Sequence, residues 1–523
     1  MQFDGLKRLG RHSKLWAAAT IVALSSCGGG GGSSGPVNSS GIPPSSQSAQ
    51  QCAANNPYAS AALKTGTLSI EKQWLRSYFD EAYLWYSEVP TINADAAAYS
   101  IVGDVYTSLD NYFQDLRTPA ITASGKDKDR FGFTYPTTQW NSLSQSGVAA
   151  GYGFEFVFGS LVANPSRNIR IAYIEPGTEA AAKGLRRGDQ LVTVDGFSAD
   201  DNTTAGINAL NAAIFPSATG GVHTWVFSRT GSANLTVTLT AANITKTPVL
   251  TRSVVTAAGG KKVGYLVFND HIATAEAQLI DAVNYFNTQA VDDLVLDIRY
   301  NGGGFLYIAS ELAYMIAGPT RTQNKVFEQL TYNDKRSADT NSANSRTPFY
   351  DAYCTNAACT TTAALPTLNL PRVYLLTQSG TCSASESIIN SLRGVDVDVR
   401  LIGGTTCGKP YGFTAKDNCG ISYFPIEFKG TNAKAFGDYP DGFIPGGAGT
   451  TGVPGCTASD DLTKQLGDPS EKMLATALGY RQSGACPVLS GLEQPQSAGR
   501  TTAIGAFMQR GPARENRILT PGR

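Results

Sequence analysis

Two stretches constrain this chain more than anything else in it, because each runs from a short apolar segment straight into small residues. The first begins at Val373-Tyr-Leu-Leu376 and continues into Thr377-Gln-Ser-Gly-Thr-Cys-Ser383-Ala-Ser-Glu386. Ile388, Ile389 and Leu392 then recur at helical spacing. The apolar run reads as a buried strand and the periodic stretch as a helix, so Ser383 falls at a strand-to-helix turn. There a hydroxyl is held on rigid elements, and the unpaired N–H groups of the first helical turn face an incoming oxyanion. A second strand, Val397-Asp-Val-Arg-Leu-Ile402, follows and delivers a glycine-rich turn carrying Lys409. Serine is a poor nucleophile until a base takes its proton, and a desolvated lysine can be that base.

The plain alternative is that Ser383 and Ser385 only cap a helix and Lys409 is a solvated charge. The other stretch, Asp293-Leu-Val-Leu-Asp297-Ile-Arg-Tyr-Asn301-Gly-Gly-Gly304, shifts the balance. It reads as a buried strand ending in a glycine turn whose N–H groups can approach a ligand closely. Strands and helices alternate through residue 402, which predicts an α/β core with parallel pairing.

Leu-Asp-Ile-Arg-Tyr-Asn-Gly-Gly-Gly, Ser-Ala-Ser-Glu and Gly-Lys, in that order, resemble the S41 peptidases, the carboxyl-terminal processing or tail-specific proteases, over about residues 70–485. The resemblance implies Ser383 as nucleophile and Lys409 as general base. It also implies an oxyanion hole from the N–H of Ala384 and of Gly303 or Gly304. For that chemistry the lysine has to be neutral near pH 7, which burial must bring about. Its neighbours Cys407, Gly408, Pro410 and Tyr411 carry no charge. Many members carry Gln four residues after the lysine; here that position is Phe413, so the third catalytic member is open. Glu386 and Asp297 are read as helix-start and turn-fixing carboxylates. The runner-up base is His271, after Asn269-Asp270 at a strand end, although a surface-loop histidine is the plainer reading.

The expected fold class is mixed α/β: an S41-type core with an inserted β-rich, PDZ-like unit and an N-terminal helical region. Residues 1–27 read as a lipoprotein signal: Lys7, Arg8, Arg11 and Lys14 precede a short apolar run, and Leu24-Ser-Ser-Cys27 offers Cys27 for lipidation. Residues 28–50 read as a Gly/Ser/Pro tether. The body would then sit in the bacterial cell envelope, lipid-anchored outside the cytoplasmic membrane. The helical region is 51–144, with amphipathic helices over 69–90 and from Val102 to Leu116.

Residues 145–243 carry strand signals and the run Pro176-Gly177 to Gly188-Asp189. They resemble a PDZ domain, with Gly151-Tyr152-Gly153-Phe154 as its carboxylate-binding loop. Such a loop cradles a C-terminal carboxylate while the peptide adds a strand to an open edge. A helix near Gly206–Phe215 would line the groove. The catalytic domain is then 244–490. It includes a polar excursion at 317–370, a hairpin at 411–428 and a helix at 461–480; residues 491–523 are unassigned.

Basic and acidic residues balance at 42 each, which gives no electrostatic case for nucleic acid. Gly403-Gly-Thr-Thr-Cys-Gly408-Lys409-Pro410 nearly matches a phosphate-binding loop, but Pro410 stands where a magnesium-holding Ser or Thr belongs, so no nucleotide is expected. No cofactor or metal is expected, since zinc-type spacing is absent. Setting Cys27 aside leaves eight cysteines, an even number that suggests disulfides in an exported chain. Cys407–Cys419, across a hairpin turning at 416–418, and Cys456–Cys486 are the expected pairs. Cys382 adjoins Ser383, but an exported thiol is a poor choice of nucleophile. The expected partners are peptides or proteins with free, apolar C-termini. The alternative is an inactive scaffold of the same fold that binds peptides or hydrophobic ligands.

Overall fold

The computed structural model describes residues 41–160, 163, 165–356 and 358–487, together with the backbone of 516–518. Cys27 and the expected signal lie outside the described residues. Among those described, no helix is long and apolar enough to cross a membrane.

A six-stranded sheet forms the centre. Its order is Val249–Thr256, Lys262–Phe268, Asp293–Asp297, Arg372–Thr377, Asp398–Gly403 and Gly455–Thr457. The first pair is antiparallel and every other pair is parallel. Successive side chains of a strand point to opposite faces, and here both faces are covered. Leu375 packs into a large core under helices Ala275–Gln289, Leu306–Ala317 and Ala384–Gly394. Its neighbour Leu376 packs into a second core with Met473, Leu474 and Ala477 of helix Lys472–Ser483. That is why these strands read as continuous apolar runs. Their parallel alignment also sends three turns, at 298–304, 378–383 and 404–409, off the same carboxyl edge. Ligands of open α/β sheets bind at that edge.

The N-terminal region packs on the large core through Trp74, Leu75, Phe79, Leu109 and Phe113. Its first helix is Leu68–Ala82, shorter than expected. Tyr83 turns extended and the Leu84 N–H bonds the Ile426 carbonyl at 2.7 Å, so the aromatic stretch that follows joins the catalytic domain. The second helix is Val105–Leu116, started by the Asp104 side chain, which accepts from the Thr107 N–H at 2.9 Å. Val102, expected on its apolar stripe, precedes that cap and is 98 % exposed. The last part of the expected tether is docked: the Ser45 N–H and hydroxyl both bond Glu81, at 2.7 and 2.6 Å.

The inserted unit has its own sheet. Phe154–Phe158, Ile169–Ile174, Gln190–Val194, Val222–Ser228 and Leu235–Thr240 pair antiparallel in that order, around Trp225, Phe227, Ile169 and Leu210. Strands Val148–Gly151 and Ala242–Thr245 pair at its base and close the insertion. Within the 317–370 excursion, Val326–Tyr332 and Arg346–Pro348 join a second sheet with Phe428–Thr431 and Tyr411–Gly412. The expected 411–428 hairpin is thus divided between two sheets. The expected helix at 461–480 begins only at Lys472.

All eight described cysteines are paired: Cys52–Cys419, Cys354–Cys359, Cys382–Cys407 and Cys456–Cys486. The last is the pair expected from spacing. The expected Cys407–Cys419 bond is not formed. The hairpin there turns at Cys419-Gly420, between strands Lys416–Asn418 and Ile421–Phe424, and presents Cys419 to Cys52 instead.

Candidate active site

Ser383 ends the turn that follows Arg372–Thr377 and stands at the N-cap of helix Ala384–Gly394. Its backbone is at φ +61°, ψ −114°. That conformation costs a non-glycine residue roughly 1–3 kcal/mol and persists only where its surroundings enforce it. Here they do. The Cys382 N–H bonds the Asn301 carbonyl at 3.1 Å, and the Ser385 hydroxyl bonds the same carbonyl at 3.0 Å. The Ser383 N–H bonds Glu386 Oε2 at 3.0 Å.

Glu386 also reaches the lysine turn. The Lys409 N–H donates to the same Oε2 at 2.8 Å, and Gly408 N–H and Thr406 Oγ1 donate to Oε1 at 2.8 and 2.5 Å. One carboxylate oxygen therefore holds the backbones of residues 383 and 409 side by side. The Cys382–Cys407 disulfide, with Cα atoms 5.2 Å apart, ties the same two turns covalently. It also leaves Cys382 no thiol with which to act as nucleophile. Nor can Cys382, Cys407 and Glu386, grouped closely enough to suggest a metal site, offer thiolates to a metal.

Ser383 and Lys409 are both fully buried. The Lys409 ammonium position, Nζ, lies 4.4 Å from the ring centre of Phe413 and 5.0 Å from that of Phe131. Phe413 thus faces the amine with an aromatic surface in place of a hydrogen-bonding side chain. Phe131 comes from the N-terminal region, as does Arg130, which donates to the Cys407 carbonyl at 2.8 Å. Neither is legible in the sequence, because nothing local links residue 130 to residue 409.

The glycine turn lies against the Ser383 turn through Asn301. The Gly303 N–H is engaged with Asn301 Oδ1 at 3.0 Å. Gly304 sits at φ +138°, and a Cβ there would meet the His271 carbonyl oxygen at 2.4 Å, so only glycine fits. His271 is not a surface-loop residue. It is fully buried, and its Nδ1 bonds Asn301 Oδ1 at 2.9 Å. Its backbone brackets the turn, donating to the Gly303 carbonyl at 3.2 Å and accepting from the Phe305 N–H at 2.8 Å. Burial brings its imidazole down to about 3, so the ring is neutral at pH 7.

Asp297 accepts from Tyr265 at 2.7 Å and from Arg299 at 2.8 and 2.9 Å, a structural network. Arg299 also bonds Glu471 and Asp460, and Asp460 accepts from Arg187 of the inserted unit at 2.5 Å. Arg187 further donates to the Tyr300 hydroxyl, next to Asn301.

Gly151, Tyr152, Gly153 and Phe154 lie in the inserted unit, not in the turns that carry Ser383 and Lys409. They open the edge strand Phe154–Phe158. Gly153 is at φ +87°, where a Cβ would strike Thr178 at 2.4 Å. Helix Thr204–Ile214 packs on strand Gln190–Val194, and the ring of Phe215, just after it, lies 6.5 Å from that of Phe158 on the edge strand.

Comparison with known proteins matches residues 262–416 to the model of peptidase family S41 and residues 71–135 to that of the peptidase S41 N-terminal domain. A carboxyl-terminal-processing protease of Picosynechococcus sp. is 26% identical over 313 residues, 60% of this chain and 63% of that protein. One from Synechocystis sp. is 24% identical over 367 residues, 68% of this chain and 74% of the other. The match thus spans somewhat under two thirds of the first relative's length. A putative S41 protease from Bacteroides fragilis shares the fold, with TM-score 0.56 and 24% identity over 79% of this chain and 97% of that one.

Proposed function

We propose that this chain, which belongs to peptidase family S41, is a cell-envelope serine endopeptidase that cuts polypeptides near their C-termini. The observation that carries the reading is the single Glu386 oxygen accepting from both the Ser383 and Lys409 N–H groups. It sets a strained, buried hydroxyl-bearing residue against a buried lysine. The matched stretch 262–416 contains both.

In this reading Ser383 Oγ attacks the scissile carbonyl carbon while the neutral Lys409 Nζ takes its proton. The negative charge that builds on the carbonyl oxygen is met by the N–H groups of Ala384 and Gly304. As the tetrahedral intermediate collapses, the C–N bond breaks and the lysine returns its proton to the departing amine. Water then attacks the acyl ester by the same route and frees Ser383. The aromatic walls of Phe131 and Phe413 exclude water from the amine. The inserted unit would present the substrate, its Gly151–Phe154 turn taking the carboxylate and edge strand Phe154–Phe158 pairing with the peptide. Four disulfides support a compartment outside the cytoplasm, consistent with a lipid anchor at Cys27.

The test is hydrolysis of peptides with apolar free C-termini by the purified protein. Ser383→Ala should abolish cleavage, and Lys409→Ala should lower it by about 10²- to 10⁴-fold. Binding without turnover by the unsubstituted protein would instead make it a peptide-binding scaffold.

A further inference from the structure

The chain returns to its own site. Asn516–Ile518 runs parallel to Gly303–Phe305, with Asn516 opposite Gly303, Arg517 opposite Gly304 and Ile518 opposite Phe305. The same segment lies against helix Ala384–Gly394 and strand Tyr411–Gly412. Those three elements carry the glycine turn, the residue after the nucleophile, and a residue two positions beyond Lys409. On its other side Gly304 is bridged to His271, so this strand has one open edge, and 516–518 fills it.

An extended peptide held by backbone pairing along this edge lies beside Gly304 and against the helix that Ser383 caps, which is where a substrate strand has to pass. The bare backbone of Gly303 and Gly304 permits that approach. We propose that Gly303–Phe305 is the docking edge for an extended peptide, and that the chain's own Asn516–Ile518 occupies it until a substrate displaces it. The proposal deepens the peptidase reading and rests on it. Because the occupant is tethered, its effective concentration is on the order of millimolar, so even weak pairing holds off a dilute substrate. The segment is then a competitive occupant, raising KM and leaving kcat unchanged.

Proline cannot donate to a strand ladder, so Arg517→Pro combined with Ile518→Pro removes the pairing while leaving the full chain in place. Asn516→Pro alone is a second such variant. The probe is a labelled synthetic peptide of residues 510–523, titrated into proteins that also carry Ser383→Ala. The proline variants should bind it about ten-fold more tightly than the unaltered tail allows. Equal affinity, or no binding by any of them, overturns the proposal. With Ser383 intact, the same variants should show a lowered KM and an unchanged kcat. A difference in peptide binding with no hydrolysis by any intact protein would sink the peptidase reading and leave the docking edge standing.

Discussion

A carboxylate taken out of water resists ionisation, and that cost pushes Glu386 above its ordinary range. Four donors act against it: Thr406 Oγ1 and the N–H groups of Lys409, Ser383 and Gly408. The sequence marks Glu386 as a helix-start residue, three positions after Ser383. Its second role was not legible, because the partners come from a turn twenty residues on. His271 shows the opposite failure: after two polar residues it reads as exposed, yet it is buried under the glycine turn. That burial has a sign. Below about 6.5 the unfolded histidine takes a proton that the folded one refuses down to about 3. Stability is therefore lost as pH falls through that window, by about 1.4 kcal/mol per pH unit from this group. Glu71, Glu175, Glu386 and Glu427, all raised chiefly by burial, act in the other direction, because the folded form holds their protons longer. Urea unfolding of the unsubstituted protein and of His271→Gln between pH 6.5 and 4.5 separates the two. The stability gap should move in the variant's favour as pH falls, and a constant gap would mean that His271 is not held neutral.

At the scale of elements, the strand–turn–helix carrying Ser383 and the strand–turn carrying Asn301 were readable, since buried parallel strands announce themselves as apolar runs. The turns they launch could be listed but not brought together. That step needs the parallel order of Asp293–Asp297, Arg372–Thr377 and Asp398–Gly403, which no local pattern encodes. The same gap hid the Cys382–Cys407 bond, whose partners are 25 residues apart with a helix and a strand between them. This bond adjoins Ser383 on one side and stands two residues before Lys409 on the other. Joint replacement, Cys382→Ser with Cys407→Ser, should lower kcat by about ten- to hundred-fold through looser alignment of Ser383 and Lys409 if the proposed reaction holds. KM should change little. Steady-state kinetics with and without a dithiol reductant check it, and an unaltered kcat would show that Glu386 alone suffices.

Across the whole molecule, the inserted unit and the catalytic sheet meet at Arg187. Burial disfavours the charge on Asp460, yet Arg299 and Arg187 hold it below its ordinary value. Arg187 also binds the Lys464 carbonyl at 2.9 Å and the Tyr300 hydroxyl beside the glycine turn. Arg187→Ala leaves a nearly buried carboxylate with one guanidinium fewer and should cost about 3 kcal/mol in urea unfolding. It should also lower kcat, because Tyr300 adjoins Asn301; full activity in a destabilised protein would confine the contact to a structural role. Cys52–Cys419 acts over the greatest span, joining positions 367 residues apart. An exposed stretch such as the one around Val102 invites a proteolytic nick. A backbone broken anywhere from 53 to 418 still belongs to one covalent molecule, because the Cys52–Cys419 pair keeps both fragments joined. Breakage and dispersal are separate events for this protein.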